Sequence, residues 1–134
     1  MRFAFALRST LFVMLLAGLP ANAQTLELSR SPREQGLAVL RELWLEEGKL
    51  RFRVDSNGCT DLESFRIQVG RQKGLGARAA HYQLAIQRVR VDECKAMLWE
   101  GVVIELDLEK DVGLAGTYTL SVTNPVLPKE GNRP

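Results

Sequence analysis

Leu50, Phe52 and Val54 alternate with Arg51, Arg53 and Asp55, and this two-residue period recurs along most of the chain. A strand turns successive side chains to opposite faces, so the alternation specifies strands with one buried and one wet face. Phe65, Ile67 and Val69 carry the same pattern, as do Tyr82, Leu84 and Ile86. It returns at Val102, Ile104, Leu106 and Leu108, and at Tyr118, Leu120 and Val122. Asn57-Gly58, the Gly113 to Gly116 stretch and Asn124-Pro125 punctuate the intervals as turns. Those intervals leave no room for repeated crossover helices, which parallel neighbours require. The expected fold is all-β: an antiparallel β-sandwich, or a small barrel, of about six strands.

Strands are predicted over about 41–46 and 49–55, with a hairpin tip inside Trp44 to Leu50. A short helix over 32–40 is the alternative, with Ser31 as cap, Pro32 in the first turn and Glu34 at the capping-box position. Thr60, with Glu63 three residues later, suits a single helical turn. Val89 and Val91 have the opposite parity to Leu84 and Ile86, which predicts a β-bulge near Gln87-Arg88.

The first 23 residues read as a secretory signal peptide. Arg2 and Arg8 precede the apolar run Thr10 to Leu19, Pro20 breaks it, and Ala21-Asn22-Ala23 is a small-x-small cleavage pattern. That run is too short for a bilayer-spanning helix, which takes about 20 residues. Residues 24–127 then form one β domain, and the polar tail 128–134 is expected to be disordered. Without Arg2 and Arg8 the 18 basic residues fall to 16 and match the 16 acidic ones, so the overall net charge of +2 points to no nucleic-acid partner. No cysteine follows the cleavage pattern to take a lipid, and no membrane anchor is expected. The protein is therefore expected in the periplasm or secreted.

Cys59 and Cys94 are the two cysteines, and His81 is the one histidine. A zinc site wants four ligands and a redox site wants Cys-x-x-Cys, so neither metal nor cofactor is expected. In an oxidising compartment the pair reads as a disulfide. On the loop-entropy model such a bridge restricts the unfolded chain by roughly 3–4 kcal/mol. It would tie the turn after the 49–55 strand to the end of the strand that starts near Tyr82. Trp44 and Trp99 do not have immunoglobulin spacing relative to the cysteines.

Four blocks carry a resemblance: Asn57-Gly58-Cys59-Thr60, Phe65 to Val69, Asp92-Glu93-Cys94-Lys95-Ala96, and Leu120 to Pro125. They resemble small exported bacterial proteins of uncharacterised type that contain a Cys pair. The resemblance spans about residues 50–125. It implies an exported, disulfide-linked β domain and no catalytic residues.

The chemistry points to binding rather than catalysis. Between Arg66 and Val91 stand Arg66, Arg71, Lys73, Arg78, Arg88 and Arg90, with no acid among them. If the two strands form a hairpin with Arg66, Arg88 and Arg90 outward, one face is cationic, and arginine forks match carboxylate and phosphate. The competing expectation is that Glu105 and Asp107, also outward, pair with Arg88 and Arg90 across strands. Trp44 and Trp99 are candidate contact residues if exposed. Gly74-Leu75-Gly76 lacks the strand-turn-helix context of a dinucleotide site. The favoured function is a non-enzymatic binding or accessory protein that contacts an envelope protein or an anionic glycan. The alternatives are a small hydrolase using His81 and surface carboxylates, and a structural subunit that assembles through an exposed strand edge.

Overall fold

A computed structural model describes residues 27–72 and 79–128. The leader, Lys73 and Arg78, and the tail from residue 129 onward lie outside the described residues. Eight strands are present among the described residues: β1 (Leu28–Ser29), β2 (Gly36–Ala38), β3 (Glu42–Glu46), β4 (Lys49–Ser56), β5 (Phe65–Gln72), β6 (Ala80–Arg88), β7 (Leu98–Asp107) and β8 (Tyr118–Val122). Among the described residues there is no α-helix, and no helix is long and apolar enough to cross a membrane.

The strands form two sheets. The smaller one is antiparallel, in the order β3-β4-β7. In the larger one β6 is central: β5 lies antiparallel along one edge, while β2 and β8 pair with different halves of β6 on the other. The β6–β8 and β1–β2 pairings are parallel, so the larger sheet is mixed. Alternation specifies faces but not strand direction, which is why an antiparallel expectation misses these two pairings.

Each face follows the predicted period. In β4, Leu50, Phe52 and Val54 are buried while Lys49, Arg51 and Arg53 are partly exposed. These apolar residues share one core with Leu84 and Ile86 of β6 and Ile104 and Leu106 of β7. Phe52 of one sheet meets Phe65 of the other edge to face, with ring centroids 5.3 Å apart.

Three local expectations are corrected. Residues 32–40 do not form the alternative helix; the chain passes through β2 and a bridge between Leu40 and Val126. Gly36 has φ +134, and a Cβ there would lie 2.2 Å from the Glu27 carbonyl oxygen, so this close strand approach requires glycine. The helical turn is a 3-10 turn over Leu62–Ser64 capped by Asp61, one residue after Thr60. The β-bulge lies not at Gln87-Arg88 but between β4 and β7, where the register shifts between Val54 and Ser56 opposite Gly101 at φ +67. β6 stays in register with β5 up to Arg88, and Val89 and Val91 lie beyond its end.

Candidate functional site

The outer face of the three-stranded sheet is a ladder of paired charges. Register places Arg53 beside Glu42 and Arg51 beside Glu105. Arg53 donates to Glu42 at 3.1 Å, and Arg51 donates to Glu105 at 2.9 Å and to Glu46 at 2.6 Å. Lys49 adds a bond to Glu105, and Arg41 one to Asp55. The bonds from Lys49 and then Arg51 hold the Glu105 carboxyl below its ordinary range. Glu105 therefore pairs across strands as predicted, but with β4 cations rather than Arg88 and Arg90, whereas Asp107 is ion-paired with Lys110 in its own turn. The reason is topological: β7 and β6 belong to different sheets.

The predicted cationic face is not assembled. Arg66 is exposed on the outer face of β5, opposite Gln87. Arg71 is exposed five residues further along, opposite Tyr82. Those five steps turn it to the other face and carry it about 17 Å away. Arg90 is beyond the end of β6, ion-paired with Asp61 and Glu63.

Arg88 departs furthest from expectation, because it points inward and is only 3 % exposed. It takes the inward slot after Leu84 and Ile86, with its guanidinium 4.8 Å from the Phe65 ring centroid. It donates to Thr60 Oγ1 at 3.1 Å and to the Asp55 carbonyl at 2.9 Å. Burial pushes its pKa below the ordinary arginine value, against the opposing pull of Asp92 and Asp55.

Asp92 is the polar centre that was not singled out from the sequence. It is 1 % exposed. Its Oδ2 accepts from Thr60 Oγ1 at 2.7 Å, Asn57 N at 2.8 Å, Ser56 Oγ at 2.9 Å and Cys59 N at 3.1 Å. Its Oδ1 accepts from Cys94 N at 3.1 Å. Burial alone would raise its pKa, but these donors outweigh burial and bring it to about 2. The carboxylate thus clamps both cysteine backbones beside the Cys59–Cys94 disulfide, whose Cα atoms are 5.7 Å apart. Cys59, Asp92 and Cys94 cluster as metal ligands do, but the sulfurs are bonded to each other and the carboxylate is occupied by donors. The available sequence signal was Asp92 placed two residues before Cys94.

The two tryptophans differ. Trp44 is half-buried beside Arg51. Trp99 is 75 % exposed, next to Met97 at 72 % and the exposed Leu98. This apolar triplet is held rather than loose. Arg41 donates to the Trp99 carbonyl at 2.7 Å, and Arg53 to the Glu100 carbonyl at 3.2 Å. On the other side, Ala96 N donates to the Asn57 carbonyl at 2.9 Å, close to the disulfide.

His81 is on the outer face of β6. Its Nδ1 is 2.8 Å from Thr119 Oγ1 and its Nε2 is 3.1 Å from Ser121 Oγ, both on β8. Hydroxyls are thus within reach, but among the described residues no carboxylate hydrogen-bonds the ring to orient it as in a hydrolytic triad.

No family model, curated protein or solved structure matches the chain.

Proposed function

We propose that the protein is an exported, non-enzymatic accessory protein of the periplasm, or a secreted one, which docks on an envelope protein through Met97, Leu98 and Trp99. The observation that carries this reading is the exposed Trp99, whose carbonyl is pinned by Arg41 and whose neighbour Glu100 is pinned by Arg53. An aromatic anchor held in place before binding loses little freedom on association, and such residues dominate interface energies. An anionic glycan is the weaker partner, because Arg66 and Arg71 stand apart and most other described cations are paired or buried. Export rests on the leader pattern, on the resemblance to exported Cys-pair proteins, and on a disulfide that suits an oxidising compartment. The same reading takes the two sheets as the layers of a sandwich around their common core.

The test is capture from periplasmic extract, followed by titration of the purified captured protein against variants. Trp99→Ala is expected to weaken binding by about 2 kcal/mol or more, roughly thirtyfold in Kd. Arg66→Glu/Arg71→Glu is expected to leave it unchanged. Loss with the arginine pair alone would move the docking surface from Trp99 to the β5 arginines. Indifference to both variants would sink the docking surface.

A further inference from the structure

The two sheets are segregated by charge. Strands β1, β2, β5, β6 and β8 contain Arg66, Arg71 and Arg88 and no acidic residue. Strands β3, β4 and β7 contain Glu42, Glu46, Asp55, Glu100, Glu105 and Asp107 against Lys49, Arg51 and Arg53. All three of those cations are already ion-paired within the sheet. Each sheet also ends in a long strand that is paired on one side only, among the described residues. β5, of 8 residues, pairs with β6 alone; β7, of 10 residues, pairs with β4 alone. The β5 edge bears Arg66 and Arg71 and no acid; on the β7 edge Glu100 has no ion-pair partner among the described residues, while Glu105 is held by Lys49 and Arg51 and Asp107 by Lys110. Each edge also exposes a valine to the same extent, Val69 and Val103 at 43 %.

An open edge presents a row of unpaired backbone donors and acceptors, and natural proteins usually blunt it. Here the two edges have opposite charge and comparable length. We propose that they bind each other between molecules, the β5 edge of one copy adding to the β7 edge of a second. The occupant is a second copy because this one chain supplies both the cationic and the anionic edge. The five-stranded sheet of one copy then continues into the three-stranded sheet of the next. Such a contact is heterologous, so it propagates as a chain or closes as a ring rather than stopping at a two-fold dimer. The inference goes beyond docking through Trp99 and survives the failure of that reading, since β5 takes no part in it.

Sedimentation of the full chain over a range of concentrations tests the proposal, with salt as the second variable. The wild type is expected to form species larger than a dimer as concentration rises, and to lose them as salt screens the edges. Arg66→Glu/Arg71→Glu makes both edges acidic, and Glu100→Lys/Val103→Lys puts positive charge on the β7 edge opposite a cationic β5. Each variant alone is expected to sediment as a monomer. Their equimolar mixture is expected to recover association, because each then meets an edge of opposite charge; recovery also demonstrates that both variants are folded. The proposal is overturned if the wild type is monomeric throughout, if either variant still associates alone, or if the mixture stays monomeric while both variants keep wild-type circular dichroism.

Discussion

Arg88 and Phe65 face each other across the β5–β6 pair, and the guanidinium lies over the ring on the side turned to the core. An arginine on a wet face changes stability by no more than about 0.5 kcal/mol when removed. This one supplies donors to Thr60 and to the Asp55 carbonyl, which truncation would strand. Arg88→Ala is therefore expected to cost about 2–4 kcal/mol. Urea unfolding measures it, with Arg66→Ala as the neutral comparison.

Asp92 makes stability depend on acid. Its carboxyl titrates at about 2 in the fold against an ordinary 3.8, so the unfolded chain takes up the proton first. The contribution is complete above the unfolded value and falls away as pH drops from about 5 toward the folded value; it amounts to about 2 kcal/mol. Asp92→Asn is expected to be less stable at neutral pH and to lose much of this acid dependence. Thermal unfolding of both proteins between pH 2 and 7 would reveal it.

Asn124 bridges β2 and β6 where no backbone does. Its Oδ1 accepts from Ile86 N at 2.8 Å, and its Nδ2 donates to the carbonyls of Ala38 at 2.9 Å and Ile86 at 2.7 Å. Asn124→Ala leaves these buried groups without partners, for a loss of about 3 kcal/mol. Asn124→Asp is expected to be worse still, because it sets a carboxylate oxygen against two carbonyls. Amide exchange at Ile86 should quicken in both.

Glu47 and Gly48 form the tip of the β3–β4 hairpin, both with positive φ, 51° for Glu47. This is the turn that favours asparagine followed by glycine. Glu47→Asn removes backbone strain and is expected to stabilise the protein by about 1 kcal/mol. Destabilisation by this change would refute the turn assignment.

Much of the strand layout was legible, because β4 and β7 alternate cleanly and a period of two fixes which side chains share a face. The disulfide was legible because two cysteines allow one pairing. Arg88 was not, since the opposite parity of Val89 and Val91 implies a change of face near Gln87-Arg88, whereas β6 keeps its register through Arg88. Asp92 was hidden for another reason: most of its donors come from Ser56 to Thr60, far upstream in the chain. Asn124 beside Pro125 read as the end of a strand, and nothing local says that its amide substitutes for a missing strand hydrogen bond. Of the candidate contact residues, Trp99 is where exposure and anchoring coincide, whereas the arginines are dispersed by topology.

The larger sheet depends on β6, which holds the early strand β2 and the late strand β8 side by side on one edge. A chain growing from its N-terminus thus finishes the β3-β4-β7 sheet first and cannot complete the larger one until Val126 has been made and can bridge to Leu40. Sequence-distant closure of this kind slows folding. The larger sheet therefore stays open until β8 and Val126 have been made, and removing residues 118–126 should loosen β2 along with them.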